Sequence, residues 1–324
     1  MKKISPLFAA AVAALATFAQ PAAAAEKLVF AWTPNPQTPQ VDLAMAKGYF
    51  KAAGLEIQMV AFPTGREGFE ALIGGQVDVT FMAEFPAAVG LLRGQKFGII
   101  ADLARFRGSR IIASAKRTEL KSAADLKGLK LGTTLGTNAD FFLSEVLRAA
   151  GVKAEVINAT PGDLAPALAR GDIAAAAMFP TFYGAARKIL GADYRELKSD
   201  AYSPHFILAA SVNALKNRPK VLEAFLGALV KADADLKTNP AAAQDAVLAN
   251  LKAAMPKDAL AAMWTEVEFG TILDKELLDL LKRQAAWILQ RNTIKAVMTS
   301  DAAFREVFAD GPLKAVAPAN VKLQ

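Results

Sequence analysis

The sequence predicts an α/β protein made of two similar lobes, each containing a parallel sheet. Segments of strand length alternate with helical segments about every 15 to 20 residues, an order typical of parallel sheets covered by helices. The alternation begins again near residue 129. A helix, Gly75, a strand and Phe85-Pro86 in the first half resemble a helix, Gly171, a strand and Phe179-Pro180 in the second half. The 324 residues also suffice for two domains of about 150 residues each.

The first half alternates strands with helices that end at glycines. Residues 55–59 alternate apolar and polar side chains with a period of two, as a strand does. Gly48 follows one helix and Gly74 another, and glycine commonly ends a helix. The predicted strands are 27–32, 55–59, 77–82 and 97–100, and the predicted helices are 40–47, 66–73 and 86–92.

The second half repeats this order and then becomes helical. Pro219 and Pro240 mark helix starts, where proline is tolerated. The second set of predicted strands is 129–133, 155–158, 173–179 and 206–211, with helices at 138–150, 166–170 and 182–190. The helices predicted after these are 219–236, 240–252, 257–269, 274–291 and 301–308.

Residues 1–25 are typical of a secretory signal peptide. Lys2 and Lys3 precede an apolar stretch over 7–19, and small residues follow up to Ala25. The stretch is shorter than the roughly 20 apolar residues that a membrane span needs. We therefore expect export and cleavage near Ala24 or Ala25.

The chain contains no cysteine. The fold is therefore expected to depend on its core and not on disulfides. A lipoprotein needs a cysteine for acylation, so the sequence favours a freely diffusing protein of the Gram-negative periplasm. We also expect the protein to be a monomer.

Charge and motifs exclude several function classes. The net charge of +7 falls by two when Lys2 and Lys3 are removed, and the basic residues are scattered without interleaved aromatics, so we expect no nucleic-acid partner. The single histidine, His205, forms no metal-ligand set, and no hydrolase, metalloprotease or phosphate-loop motif occurs. We expect no metal, no cofactor and no enzymatic activity.

Three segments resemble a known protein family. The segments Ala44-Met45-Ala46-Lys47-Gly48-Tyr49-Phe50, Ala71-Leu72-Ile73-Gly74-Gly75-Gln76-Val77-Asp78 and Asp125-Leu126-Lys127-Gly128 stand in the order and spacing of the signatures of nitrate/sulfonate/taurine-type substrate-binding proteins of ABC importers. The resemblance covers roughly residues 26–215. Similar families include pyrimidine-precursor binding proteins and a pyrimidine-synthesising enzyme branch. That enzyme chemistry is expected to use cysteine and several histidines, which this chain lacks.

The resemblance implies a class II periplasmic binding fold with two α/β lobes. Lobe 1 would comprise 26–112 and the C-terminal helices within 212–324, and lobe 2 would be the insertion 113–211. Two strands near 111–114 and 208–211 would form the hinge. A small molecule would bind between the lobes for delivery to a membrane permease and its ATPase.

Candidate ligand contacts follow the carboxyl ends of the predicted strands, where α/β sheets bind ligands. The ten candidates are Asn35, Gln37, Thr64, Arg66, Glu84, Phe85, Thr133, Thr137, Asn138 and Phe179.

The chemistry of these candidates leaves alternatives open. Thr137 and Asn138 begin a helix and suit an oxyanion, although either side chain also suits a helix cap. Glu84 suits a cationic or donor group, or stabilises the helix that follows it. Arg66 suits an anion or solvent, while Phe85 and Phe179 suit a pocket wall or the core. If Glu84 faces the cleft, we expect a ligand with both an anion and a donor, such as an aminosulfonate, a zwitterion or an aminopyrimidine; if it does not, simple anions remain open.

Overall fold

The computed structural model describes residues 25–32, 34–252, 255–292 and 294–324. The predicted signal peptide lies almost wholly outside the described residues. The strands are β1 (Glu26–Ala31), β2 (Leu55–Val60), β3 (Val79–Ala83), β4 (Phe97–Phe106), β5 (Arg110–Ser114), β6 (Lys130–Thr133), β7 (Glu155–Asn158), β8 (Ala175–Ala177), β9 (Tyr194–Lys198), β10 (His205–Ser211), β11 (Val267–Asp274) and β12 (Val321–Lys322).

The α-helices alternate with the strands and predominate after β10. They are α1 (Pro39–Ala46), α2 (Tyr49–Ala52), α3 (Gly65–Ile73), α4 (Phe85–Leu92), α5 (Asn138–Ala150), α6 (Leu164–Arg170), α7 (Tyr183–Leu190), α8 (Val212–Asn217), α9 (Pro219–Thr238), α10 (Pro240–Asn250), α11 (Lys257–Trp264), α12 (Lys275–Gln290), α13 (Asp301–Glu306) and α14 (Gly311–Val316). No helix within the described ranges is long and apolar enough to cross a membrane.

Two sheets form the two lobes of this α/β fold. The first sheet has the strand order β12-β11-β4-β10-β3-β1-β2, and the second has the order β7-β6-β8-β5-β9. In each sheet three strands are parallel: β2, β1 and β3 in the first, and β7, β6 and β8 in the second. The remaining pairs are antiparallel, apart from the short parallel pair of β11 and β12. The sheets are therefore mixed, whereas the sequence predicted parallel ones.

The chain passes between the two sheets at positions that differ from the predicted hinge strands. Residues 111–114 lie inside the second sheet and 208–211 inside the first. The connections between the sheets are 107–109, from β4 to β5, and 199–204, from β9 to β10. We propose that the lobes divide at these two connections and not at the predicted boundaries of 112 and 211.

Strand β4 continues past the predicted end at residue 100. Asp102 and Arg105 interrupt the apolar pattern, yet both are buried. They pair with each other, with Arg105 Nε 3.4 Å from Asp102 Oδ2. Because the charges are compensated within the structure, the strand runs on to Phe106.

The predicted helix over 257–269 is wrong in its second half. Helix α11 ends at Trp264, whose indole Nε1 donates a 2.7 Å hydrogen bond to the Pro36 carbonyl. Strand β11 follows and pairs antiparallel with β4. Residues 267–274 carry the β-branched, alternating pattern of a strand, and packing against β4 overrides the helical interpretation.

Candidate functional site

A cavity of about 310 Å³ lies between the lobes. The ends of β1 and β3 border it from lobe 1, and the start of α5 and the segment after β8 border it from lobe 2. Seven of the predicted site residues line it: Asn35, Gln37, Thr64, Arg66, Thr137, Asn138 and Phe179. The structure thus gathers residues from four loops around one space, and their contact with a ligand stays a prediction.

Glu84 does not line this cavity. Its side chain is 0% exposed and lies behind the wall, where Oε1 accepts a 2.5 Å hydrogen bond from the Tyr202 hydroxyl and Oε2 accepts a 2.9 Å bond from the His205 backbone N–H. The Gln284 amide also donates to Oε1. The structure corrects the expectation that Glu84 offers a negative charge to the ligand.

Phe85 and Thr133 are likewise outside the lining of the cavity. The Phe85 ring is buried between Phe141 and Trp287, at centroid distances of 5.8 and 5.7 Å. Because Phe141 belongs to α5 and Trp287 to α12, this cluster packs one lobe against the other. The Thr133 hydroxyl is buried at the end of β6 and has no hydrogen-bond partner among the described residues.

A buried polar network connects the cavity to the lobe 1 sheet. Asn138 lines the cavity and hydrogen-bonds through its side chain to Tyr202, which in turn donates to Glu84. Desolvation raises the pKa of Glu84. His205 Nδ1 lies 2.7 Å from Asp102 Oδ2, and although burial opposes protonation, the charge of Asp102 raises the pKa of His205 overall. His205 therefore has a structural role in this network.

Helices α3 and α5 begin at the cavity, and the side chains at their N-termini already form capping hydrogen bonds. Thr64 caps α3, and Glu67 Oε2 accepts a 2.9 Å bond from the Thr64 N–H. The Thr137 hydroxyl accepts from the Ala139 N–H at 3.2 Å and donates to the Thr134 carbonyl at 2.7 Å. The capping alternative considered for Thr137 is thus present, and its hydroxyl proton is committed to the fold.

Arg66 is the charged residue in the cavity lining. Its Nη1 donates a 3.1 Å hydrogen bond to the Leu135 carbonyl and so connects α3 of lobe 1 to lobe 2. Within the described part of the chain no carboxylate lies within 4.0 Å of this guanidinium, and its Nε has no partner. At Gly136, where φ is +72°, a Cβ would stand 3.1 Å from Arg66 Nη1, so the close approach favours glycine.

The cavity wall contains more aromatic and apolar side chains than the sequence indicated. Residues that the sequence did not indicate include Phe81, Met82, Thr181, Phe182, Phe206, Leu251 and Met255. Thr181 stands two residues after the predicted contact Phe179, so a longer candidate loop would have included it. Leu251 and Met255 follow α10, and no local pattern connects them to the cavity.

A second cavity of about 360 Å³ lies on the other side of Arg66. The charged residues of its described lining are Arg66, Glu70, Arg93, Asp140 and Arg291. The Arg291 guanidinium lies 4.6 Å from the centre of the Trp287 ring. Arg66 lines both cavities, and Leu135, the acceptor of its hydrogen bond, lines the second. The described residues include no group of His, Cys, Asp and Glu able to hold a metal ion.

Comparison with known proteins decides the family. The family model described as "NMT1/THI5 like" matches residues 35–243, more than half of the chain. The chain belongs to the NMT1/THI5-like family. The matched range includes the parallel strands β2, β3, β6, β7 and β8 and all ten predicted site residues.

This NMT1/THI5-like chain is similar in sequence to a binding protein, and it shares its fold with solved binding proteins and with an enzyme. A protein of Escherichia coli (strain K12), named as an aliphatic sulfonates-binding protein, is 28% identical over 227 residues, which are 67% of this chain and 70% of the relative. The crystal structure of the periplasmic aliphatic sulphonate binding protein SsuA from Escherichia coli matches with a TM-score of 0.72 at 19% identity, covering 87% of this chain and 97% of SsuA. DszB, solved with biphenyl-2-sulfinic acid, matches with a TM-score of 0.68 at 17% identity, covering 91% and 99%. DszB is described as a desulfurization enzyme in a second crystal structure. These structures show that the fold is the periplasmic binding protein fold.

Proposed function

We propose that this protein is the periplasmic substrate-binding subunit of an ABC importer and captures one small organic molecule between its lobes. The observation that carries the proposal is the cavity of about 310 Å³ that both lobes line. The sulfonate-binding names of its relative and of the fold neighbour SsuA support this function. The proposed partners are a membrane permease and its ATPase, which would receive the ligand.

Binding is expected to close the lobes on the ligand. A molecule that touches both walls binds the closed arrangement better than the open one and so shifts the population toward it. In this structure the bond from Arg66 to Leu135 and the packing of Phe141 on Phe85 join the two lobes, and we expect closure to depend on these contacts. The permease would then distinguish loaded from empty protein by its shape.

The cavity favours capture over chemistry. The chain has no cysteine, and His205 is buried in the network behind the wall. Among the described lining residues there is no carboxylate or imidazole to serve as a general base. Although DszB shows that this fold also serves an enzyme, these residues support the binding function for this chain.

We predict that the protein retains one unaltered molecule per chain from a periplasmic extract. Purified protein is incubated with the small-molecule fraction, separated from unbound material by gel filtration and denatured, and mass spectrometry then identifies what is released. Ala83→Trp should retain little or none, because Ala83 lines the cavity and an indole at this position would occupy much of the space that the ligand needs. Ala241→Trp, an exposed change on α10, is the matched control and should behave like the wild type.

Release of nothing from the wild type, or of a chemically altered compound, would contradict the proposed function. Equal retention by Ala83→Trp would place the binding site elsewhere on the protein.

Export is a separate prediction that follows from residues 1–25. N-terminal sequencing of protein from the periplasmic fraction should give a chain that begins near Ala25 or Glu26, because the small residues up to Ala25 suit signal peptidase. A chain that retains Met1 and stays in the cytoplasmic fraction would overturn this expectation.

A further inference from the structure

The cavity also indicates the chemical class of its occupant. Resting on the proposed function, we propose that the ligand is an aromatic compound that carries a single anionic group. Three properties of the cavity lead to this class: its size, the rings contributed by both lobes and Arg66, the cation of its described lining, which has no carboxylate partner.

The size favours a molecule larger than an inorganic anion or a short alkyl compound. A dry protein cavity of about 150 Å³ accommodates benzene. At about 310 Å³, this cavity has roughly twice that space, enough for a ring with its substituents. Nitrate or taurine would leave most of the apolar wall uncovered by the ligand.

Aromatic rings stand on both sides of the space. Phe62 approaches from lobe 1, while Phe179 and Phe182 approach from lobe 2, and all three are half-buried. Phe81 and Phe206, on neighbouring strands, form a stacked pair in the floor with centroids 6.0 Å apart. Planar ligands gain from such walls because offset-stacked and edge-to-face contacts add to the burial of apolar area. A ring between the two walls would also bridge the lobes.

The charge of the lining favours one negative group. Arg66 is the charged side chain in the described lining, and no carboxylate within 4.0 Å neutralises it. Its Nε–H has no acceptor among the described residues. An anion beside a guanidinium forms a charge-assisted hydrogen bond, which is stronger than a neutral one. Because Glu84 faces away, a second, cationic group on the ligand would find no carboxylate partner in the described lining.

The decisive experiment compares compounds that differ in one property each. Calorimetry measures the dissociation constants of 4-toluenesulfonate, its neutral analogue 4-toluenesulfonamide, ethanesulfonate, taurine and nitrate. We expect 4-toluenesulfonate to bind roughly ten- to a hundredfold more tightly than the sulfonamide, since a hydrogen bond to a charged group supplies a gain of that order. 4-Toluenesulfonate should also bind at least about tenfold more tightly than ethanesulfonate and taurine, because its ring buries apolar surface of the cavity wall. The aromatic carboxylate 4-methylbenzoate tests whether the anionic group is a sulfonate or a carboxylate.

Two arginine variants separate charge from structure. Arg66→Gln keeps a donor for the Leu135 carbonyl but removes the charge, so the preference for sulfonate over sulfonamide should disappear. Arg93→Gln removes an exposed arginine that lines only the second cavity and should leave the preference intact.

Phe179→Leu tests the aromatic wall. It should weaken the binding of 4-toluenesulfonate by roughly two- to tenfold and leave any ethanesulfonate binding nearly unchanged.

Tighter binding of nitrate, taurine or ethanesulfonate than of the aromatic anions would overturn the proposed ligand class while leaving the proposed function intact. Equal binding of sulfonate and sulfonamide would overturn the anionic part. If no compound of the series binds, the ligand class is again overturned, whereas the proposed function fails only if the periplasmic extract also yields no retained molecule.

Discussion

Arg105→Met is expected to lower the free energy of unfolding by about 3–5 kcal/mol, the usual cost of removing one partner from a buried ion pair. Arg105 is buried, and its guanidinium contacts Asp102, Asp274 and Glu276, the last at 2.7 Å. The substitution would leave Asp102 buried beside His205 without this compensating charge. Urea denaturation of both proteins measures the difference.

Arg107→Met is the matched control two residues further along the chain. Arg107 pairs with Glu268 at 3.0 Å, but the two side chains are 52% and 54% exposed. Exposed pairs contribute about 0–1 kcal/mol, so this substitution should change stability little. If Arg105→Met lowers the free energy of unfolding no more than Arg107→Met does, then Arg105 does not stabilise the buried carboxylate of Asp102 in β4.

Stability should fall as the pH rises from 5 to 8, in large part through Asp42. Burial raises the pKa of Asp42 from its ordinary value of 3.8 to about 7, against the opposing effect of a 2.5 Å hydrogen bond from Asn250. A raised pKa in the folded state gives stability that is complete below the unfolded pKa and is lost as the pH rises toward 7. Each pH unit in that window corresponds to roughly 1.4 kcal/mol.

Asp42→Asn isolates this contribution because asparagine does not titrate. The stability difference between variant and wild type should shift in favour of the variant by about 2–3 kcal/mol between pH 5 and pH 8. The raised pKa values of Glu84, Asp102 and His205 act with the same sign in both proteins and cancel in this comparison. Asp200→Asn, which removes an exposed carboxyl, is the matched control. A constant difference across the window would show that Asp42 is ionised in the folded protein at pH 5.

The sequence predicted most elements because local patterns determine them. Helix α5 and strand β7 have the predicted bounds, since Thr137 caps the helix, Gly151 ends it and Asn158 ends the strand. The rule that ligands bind beyond the carboxyl ends of strands brought seven of ten candidate residues to one cavity.

Long-range contacts decided what the sequence did not predict. Glu84 turns away from the cavity because it hydrogen-bonds to Tyr202 and Gln284. These partners lie 118 and 200 residues further along the chain, so no local pattern announces the contact. The extension of β4 depends on Arg105 finding Asp274 and Glu276, and the cavity wall depends on where Leu251 and Met255 pack. None of these pairings has a local signature.

The central claim is that one small molecule binds between the lobes and holds them together. Small-angle scattering of the purified protein with and without a saturating bound compound tests it most directly. We predict that the radius of gyration decreases on binding in the wild type and stays constant in Ala83→Trp. Stoichiometric binding with an unchanged radius of gyration would contradict the claim, because the molecule would then occupy one lobe without closing the other onto it.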